Sequence, residues 1–304
     1  MNKWFAAPWP GHALIFSGLT FYLHAVHLDA VEFDFLENET FAQPKGETLQ
    51  LDAFLVPSSQ PTPAMIYVHG GGFVSGDKGN ISTGFREIRD LLLKSGISVI
   101  SINYRLAPKH PYPAAPNDVQ AGIRYIKKHA QRFRVDPDRL ALMGESAGGM
   151  LVSHAGAKYE AGNRVAAVVS FYGEHDFTLR VSEDPCAMDG YTKKRPDGGC
   201  ISNGMADFLG FRELNPAGMA TLEDATVVNH VHTTMPPYLL IHGTRDYGVP
   251  IEQAHSMHAA MQRVGAECQL VAIVGGGHGG WNEPHQQHYQ TIMIEWLLEK
   301  LADH

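Results

Sequence analysis

Ser146, Asp246 and His278 are three residues whose types, order and surroundings could together perform nucleophilic chemistry. A serine hydroxyl is a weak nucleophile at neutral pH: it needs a base beside it, and the base needs a carboxylate to orient it. Ser146 stands in LMGESAGGML at 142–151, where GESAG fits the pattern G-x-S-x-G. The apolar run LALM precedes it and the helix-like AGGMLVSHAGAKYE follows. A sharp strand-to-helix turn needs small neighbours if the hydroxyl is to stay exposed. The pattern alone also fits a point where a helix merely packs tightly on a sheet, so its partners matter.

Those partners come later in the chain. Asp246 lies in PYLLIHGTRDYGVP, just after an apolar run, and His278 lies in QLVAIVGGGHGG, just after the next. Of 17 histidines, His278 is set apart by Gly275, Gly276, Gly277, Gly279 and Gly280, which let backbone bend close to a substrate, whereas His242 reads as a structural strand-end residue. Asp246 competes with Asp224, Glu223 and Glu252 for the acid; it alone lies shortly after a strong apolar run and before the helix expected near Pro250. Attack on a carbonyl also needs donors for the oxyanion, each worth about 3 to 4 kcal/mol. The glycines of HGGG, His69 to Gly72, and the amide of Ala147 can supply them.

Such residues must be brought together by elements. From residue 31 the chain alternates short apolar runs with helical periods, the pattern of an α/β protein with a mostly parallel sheet and helices on both faces. Strands are expected at 31–36 and 49–56 and in AMIYVH, ISVISINY, LALMG, VAAVVSFY, PYLLIH and QLVAIV. Helices are expected at 84–95, 115–134, 147–160, 251–264 and 284–301. Residues 176–232 break the rhythm and read as an irregular insertion, a lid or substrate wall. Loops after the carboxyl ends of parallel strands gather at one sheet edge, which is where ligands bind.

HGGGF, NYRLAPKHPYPAAPND, GESAGG, HGTRDYGVP and GGGHGG together resemble the α/β-hydrolase superfamily, in particular carboxylesterases of the hormone-sensitive-lipase and related small-ester type, over about residues 31 to 300. The resemblance implies hydrolysis of carboxylic esters through an acyl-enzyme. Ser146 would be the nucleophile, His278 the base and then acid, and Asp246 its orienting carboxylate. Gly71, Gly72 and Ala147 would form the oxyanion hole. Many relatives carry Asp where this chain has Glu145. Arg105 and Asp118 read as scaffold, a pair bracing the loops beneath the Ser146 turn.

The 304 residues, 44% hydrophobic and 18% charged, suffice for a large core, and a net charge of -8 without a basic cluster argues against a nucleic-acid partner. Three cysteines are too few for a disulfide scaffold and lack zinc-site spacing. Cys186 and Cys200 bracket a loop-like stretch, where a bridge would remove about 3 kcal/mol of unfolded-state freedom; two free thiols are the alternative. Residues 1–30 read as a signal peptide or an N-terminal cap segment, with 31–304 as one catalytic domain. The apolar run ALIFSGLTFYL is too short to span a membrane. Two glycosylation triplets, at Asn38 and Asn80, fit secretion; a cytoplasmic protein is the alternative.

Phe73, Val74, Phe171, Tyr172 and Trp281 are placed to line an acyl pocket or to serve as ordinary core. The partner expected is a small-molecule ester, with no metal or organic cofactor. Two other classes use the same fold: a serine peptidase acting on short peptides, and a non-catalytic ligand-binding homologue.

Overall fold

The computed structural model describes residues 31–183, 191–194, 200–202, 204–212 and 214–302. Residues 1–30 and Cys186 lie outside the described residues, and only the backbone of Cys200 is described, so the expectations of a signal peptide or cap segment and of a Cys186 to Cys200 bridge lie outside what the structure describes.

Eight strands form one sheet: β1 (Asp34–Ala42), β2 (Leu49–Leu55), β3 (Thr62–Val68), β4 (Ser98–Ile102), β5 (Val135–Glu145), β6 (Ala167–Phe171), and β9 (Tyr238–Gly243) with β10 (Cys268–Ile273). A separate two-stranded ribbon, β7 (Tyr191–Lys194) and β8 (Cys200–Ser202), lies in the insertion. The order across the large sheet is β1-β2-β4-β3-β5-β6-β9-β10. From β4 onward every pairing is parallel, and β2 runs against both its neighbours.

The apolar runs became strands because both their faces are covered. In β3, Ala64, Ile66 and Val68 enter one core while Met65 and Tyr67 enter the other. Helices α2 (Ala114–Lys128), α4 (Ala147–Ala157) and α8 (Glu252–Val264) cover the first face; α1 (Arg86–Lys94) and α9 (Glu283–Lys300) cover the second. Each fully buried large apolar side chain contributes about 1.5 to 3 kcal/mol, which holds the sheet rigid under the site.

Three boundaries differ from expectation. The first strand starts later than expected and runs on past residue 36 through the polar stretch Glu37-Asn38-Glu39-Thr40. It is an edge strand, its register slips between Leu36 and Glu39, and Asn38 takes φ 57, so outward polar residues are tolerated. The helix expected at 115–134 is two, α2 and the short α3 (Ala130–Phe133), parted at His129 with φ -110 and ψ 23. Within 176–232 stand α5 (Phe177–Glu183), the β7/β8 ribbon, α6 (Met205–Leu209) and α7 (Pro216–Ala225). Phe177, Met205, Phe208, Leu209 and Leu222 are buried with the α2/α4 core, so much of this insertion is packed wall. Among the described residues no helix is long and apolar enough to cross a membrane.

Candidate active site

The turn from β5 into α4 puts Ser146 at φ 54, ψ -119, a conformation that side-chain-bearing residues hold only when the surroundings impose it. The imposition is steric and hydrogen-bonded. A Cβ on Gly148 would lie 2.1 Å from the Val68 oxygen, and one on Gly144 would lie 2.3 Å from the Gly148 oxygen. The Ser146 N–H donates to the Phe171 carbonyl at 2.9 Å, tying the turn to the end of β6. The two glycines of GESAG are thus required by backbone crossing.

Asp246 and His278 stand in the loops after β9 and β10, at the same sheet edge. Ser146 Oγ donates to His278 Nε2 at 2.9 Å, and His278 Nδ1 donates to Asp246 Oδ2 at 2.7 Å. The other Asp246 oxygen accepts from the N–H groups of Gly248 at 2.8 Å and Val249 at 2.9 Å. Burial pushes the Asp246 carboxyl up, but the side chains of His242 and His278 and the Val249 amide outweigh it and hold the group at about 2. A permanent carboxylate therefore faces the imidazole. His242 lies beneath it, 3.6 Å from Asp246 Oδ2, and donates Nε2–H to the Val249 carbonyl at 2.8 Å.

The HGGG loop leaves β3 and curls back toward Ser146 with Gly71 at φ 105 and Gly72 at φ 60. Among the described residues the N–H groups of Gly71, Gly72 and Ala147 take part in none of the turn or cap hydrogen bonds, and Ala147 opens α4, where amides lack an intrahelical acceptor. Two residues that sequence reasoning gave no role hold this loop. Glu145 Oε1 accepts from the Gly70 N–H at 2.9 Å and the Tyr67 hydroxyl at 3.3 Å. The Tyr104 hydroxyl donates to the carbonyls of His69 at 3.1 Å and Gly70 at 3.2 Å. His69 stacks on Tyr104 at 4.3 Å, and burial pushes its imidazole down to about 4, so it stays neutral and donates to the Gly70 oxygen. Arg105 and Asp118 pair as expected, with both guanidinium Nη2 at 2.7 Å and Nε at 2.8 Å reaching the carboxylate.

The aromatic residues divide. Phe73 stacks on Phe208 of α6 at 3.9 Å, so the insertion walls the side of the HGGG loop, with Val74 exposed beside it. Tyr172 lies 4.6 Å from the His278 ring and meets Trp281 edge-on at 5.6 Å. The Phe171 ring turns into the second core between Phe85 and Tyr289, at the floor of a hollow, and its carbonyl holds the Ser146 N–H. Phe85, Tyr172, Gly279, Gly280, Trp281 and Tyr289 also bound this hollow of about 120 Å³ next to His278.

A serine on a strained strand-to-helix turn, with its acid and histidine on later strand ends of a mostly parallel sheet, defines the α/β hydrolases. The chain belongs to the BD-FAE family, which matches residues 51–261. It is similar to the probable carboxylic ester hydrolase LipM of Mycobacterium tuberculosis, with 28% identity over 233 residues, covering 72% of this chain and 50% of that protein. It is also 28% identical over 233 residues to the esterase LipC of the same organism, covering 73% of this chain and 54% of that protein. The chain spans about half the length of these curated relatives. A truncated carbohydrate esterase from gut microbiota shares the fold with a TM-score of 0.71 at 23% identity, over 89% of this chain and 97% of that one.

Proposed function

We propose that the protein is a serine esterase that hydrolyses carboxylic esters of small to moderate size through an acyl-enzyme. The observation that carries this reading is the continuous line from Ser146 Oγ through His278 to Asp246, at 2.9 and 2.7 Å, on a serine held at φ 54. His278 Nε2 takes the hydroxyl proton as Ser146 Oγ bonds to the ester carbonyl carbon. The oxyanion accepts from the amides of Gly71, Gly72 and Ala147. Collapse breaks the bond to the alcohol, which leaves with the proton from His278, and water repeats the sequence to release the acid. The names of LipM and LipC support ester hydrolysis.

In this reading Phe73, Val74, Phe171, Tyr172 and Trp281 would border the acyl group; the hollow that Phe171, Tyr172 and Trp281 line beside His278 supports it for those three. The carbohydrate esterase that shares the fold supports including sugar esters among the candidates. Residues 1–30 acting as a signal peptide, and secretion, belong to the same proposal; N-terminal sequencing of the native protein tests it. A fluorophosphonate probe tests the enzyme itself: it should label wild type and not Ser146→Ala, and folded wild type left unlabelled would overturn the reading. A panel of acyl esters with varied chain length, aromatic acyl group and sugar or simple alcohol then ranks substrates.

A further inference from the structure

Arg180 is among the largest fully buried side chains of the protein, and the chemistry of the triad does not use it. It sits on α5, the first helix of the insertion. That helix is fixed at its start: Asp176 Oδ1 accepts from the Leu179 N–H at 2.8 Å, its other carboxylate oxygen accepts from Ser256 Oγ at 2.6 Å, and its backbone exchanges hydrogen bonds with the Gln253 side chain at 2.7 and 3.0 Å. Ser256 and Gln253 belong to α8, which follows the Asp246 loop, so Arg180 is held against that loop from a rigid base.

From there Arg180 Nη2 donates to the Gly248 carbonyl at 2.8 Å, while its Nε stands 3.2 Å from the buried Glu174 carboxylate. The Gly248 carbonyl belongs to the same peptide unit as the Val249 N–H, and that N–H donates to Asp246 Oδ1 at 2.9 Å. One face of a single peptide therefore meets a guanidinium and the other meets the triad carboxylate. A cation on the carbonyl polarises the amide and strengthens what its N–H donates. It also fixes the plane of the peptide, and with it the rotamer of Asp246.

We propose that Arg180, oriented by Glu174, is a positioning residue for the triad: it sets the Gly248–Val249 peptide that aims Asp246 at His278, and so couples the insertion wall to the catalytic line. This rests on the esterase reading. Removing the guanidinium should lower turnover more than substrate binding, because Arg180 reaches the triad through the Gly248 carbonyl and does not line the hollow beside Tyr172.

Arg180→Lys keeps the charge but offers a single ammonium that cannot span Glu174 and Gly248 as the planar fork does. In Arg180→Lys, kcat on p-nitrophenyl acetate should fall at least tenfold with KM changed less than twofold. The downfield proton resonance of His278 Nδ1–H should shift or broaden away at the same time. That resonance is independent of turnover, so its behaviour is read even if the esterase reading fails. Glu174→Gln/Arg180→Gln removes the buried pair together, avoids leaving one charge unpaired, and should show the same two effects if Arg180→Lys does not fold. A folded variant of either kind with kcat within twofold of wild type and an unmoved resonance would overturn the proposal.

Discussion

The Glu145 carboxylate, one residue before Ser146, accepts the Gly70 N–H at 2.9 Å, so the turn that presents Ser146 also holds the loop that faces it. Ser146 and the proposed oxyanion donors are thereby one mechanical unit. Glu145→Ala should lower kcat about tenfold or more, since misplaced oxyanion donors forfeit part of the roughly 3 kcal/mol each supplies, while KM changes little. Steady-state kinetics on a p-nitrophenyl ester read this split. A loss confined to KM would mean that the contact serves binding instead.

Ser146→Ala and His278→Ala should each abolish most turnover while shifting the melting temperature by only a few degrees, because both side chains sit at the cleft surface and neither fills core. Asp246→Asn should lose on the order of 10³ to 10⁴-fold in kcat through loss of imidazole orientation. Near-normal hydrolysis by any of the three would remove the triad assignment.

The depressed Asp246 carboxyl, at about 2 against an ordinary 3.8, has a stability signature with a defined sign. A carboxyl whose pKa is lower in the folded state stabilises above its unfolded value, and that contribution disappears as pH falls through the folded one. The stability difference between wild type and Asp246→Asn should therefore narrow by about 2 kcal/mol between pH 4 and pH 2. Urea titrations at several acid pH values measure it; a difference independent of pH would show that the carboxylate is not specially stabilised.

Buried neutral histidines act over a higher range. Burial pushes His69 down to about 4 and His154 and His175 down to about 3. Below the unfolded value near 6.5 the unfolded chain takes up protons that the folded one refuses, so stability is full above that pH and declines as pH drops. Each such group contributes up to roughly 1.4 kcal/mol per pH unit. Urea midpoints should fall steadily from pH 7 to pH 5, and a flat profile would contradict these environments.

Two glycine substitutions should part company. Gly148→Ala drives a Cβ to 2.1 Å from the Val68 oxygen and should cost about 3 kcal/mol or prevent folding, displacing the HGGG loop with it. Gly277→Ala meets nothing within 4 Å and has no positive φ, so thermal melts should show it close to wild type although it adjoins His278.

How much of this was legible follows from how local each cause is. The buried strands were readable because covering both faces of a parallel strand requires unbroken apolar runs, and the Ser146 turn because backbone crossing at Gly144 and Gly148 admits no side chain. Ser146, Asp246 and His278 were readable because each must sit at a strand end, which leaves a mark in neighbouring residues. The bounds of β1 were missed since an edge strand carries polar residues outward and gives no unbroken apolar run past residue 36. The roles of Glu145, Tyr104 and Arg180 had no local mark at all. Glu145 is 75 residues from Gly70 and Arg180 is 68 residues from Gly248 in the chain. The turn of the Phe171 ring into the core likewise depends on Phe85, just before α1, and Tyr289 of α9, both distant in the chain. The sequence by itself determined the buried strands, and the places of Ser146, Asp246 and His278 at strand ends in their order along the chain. Which side chains hold those groups in line was decided by tertiary packing alone, because hydrogen bonds and ring contacts select partners by position in space.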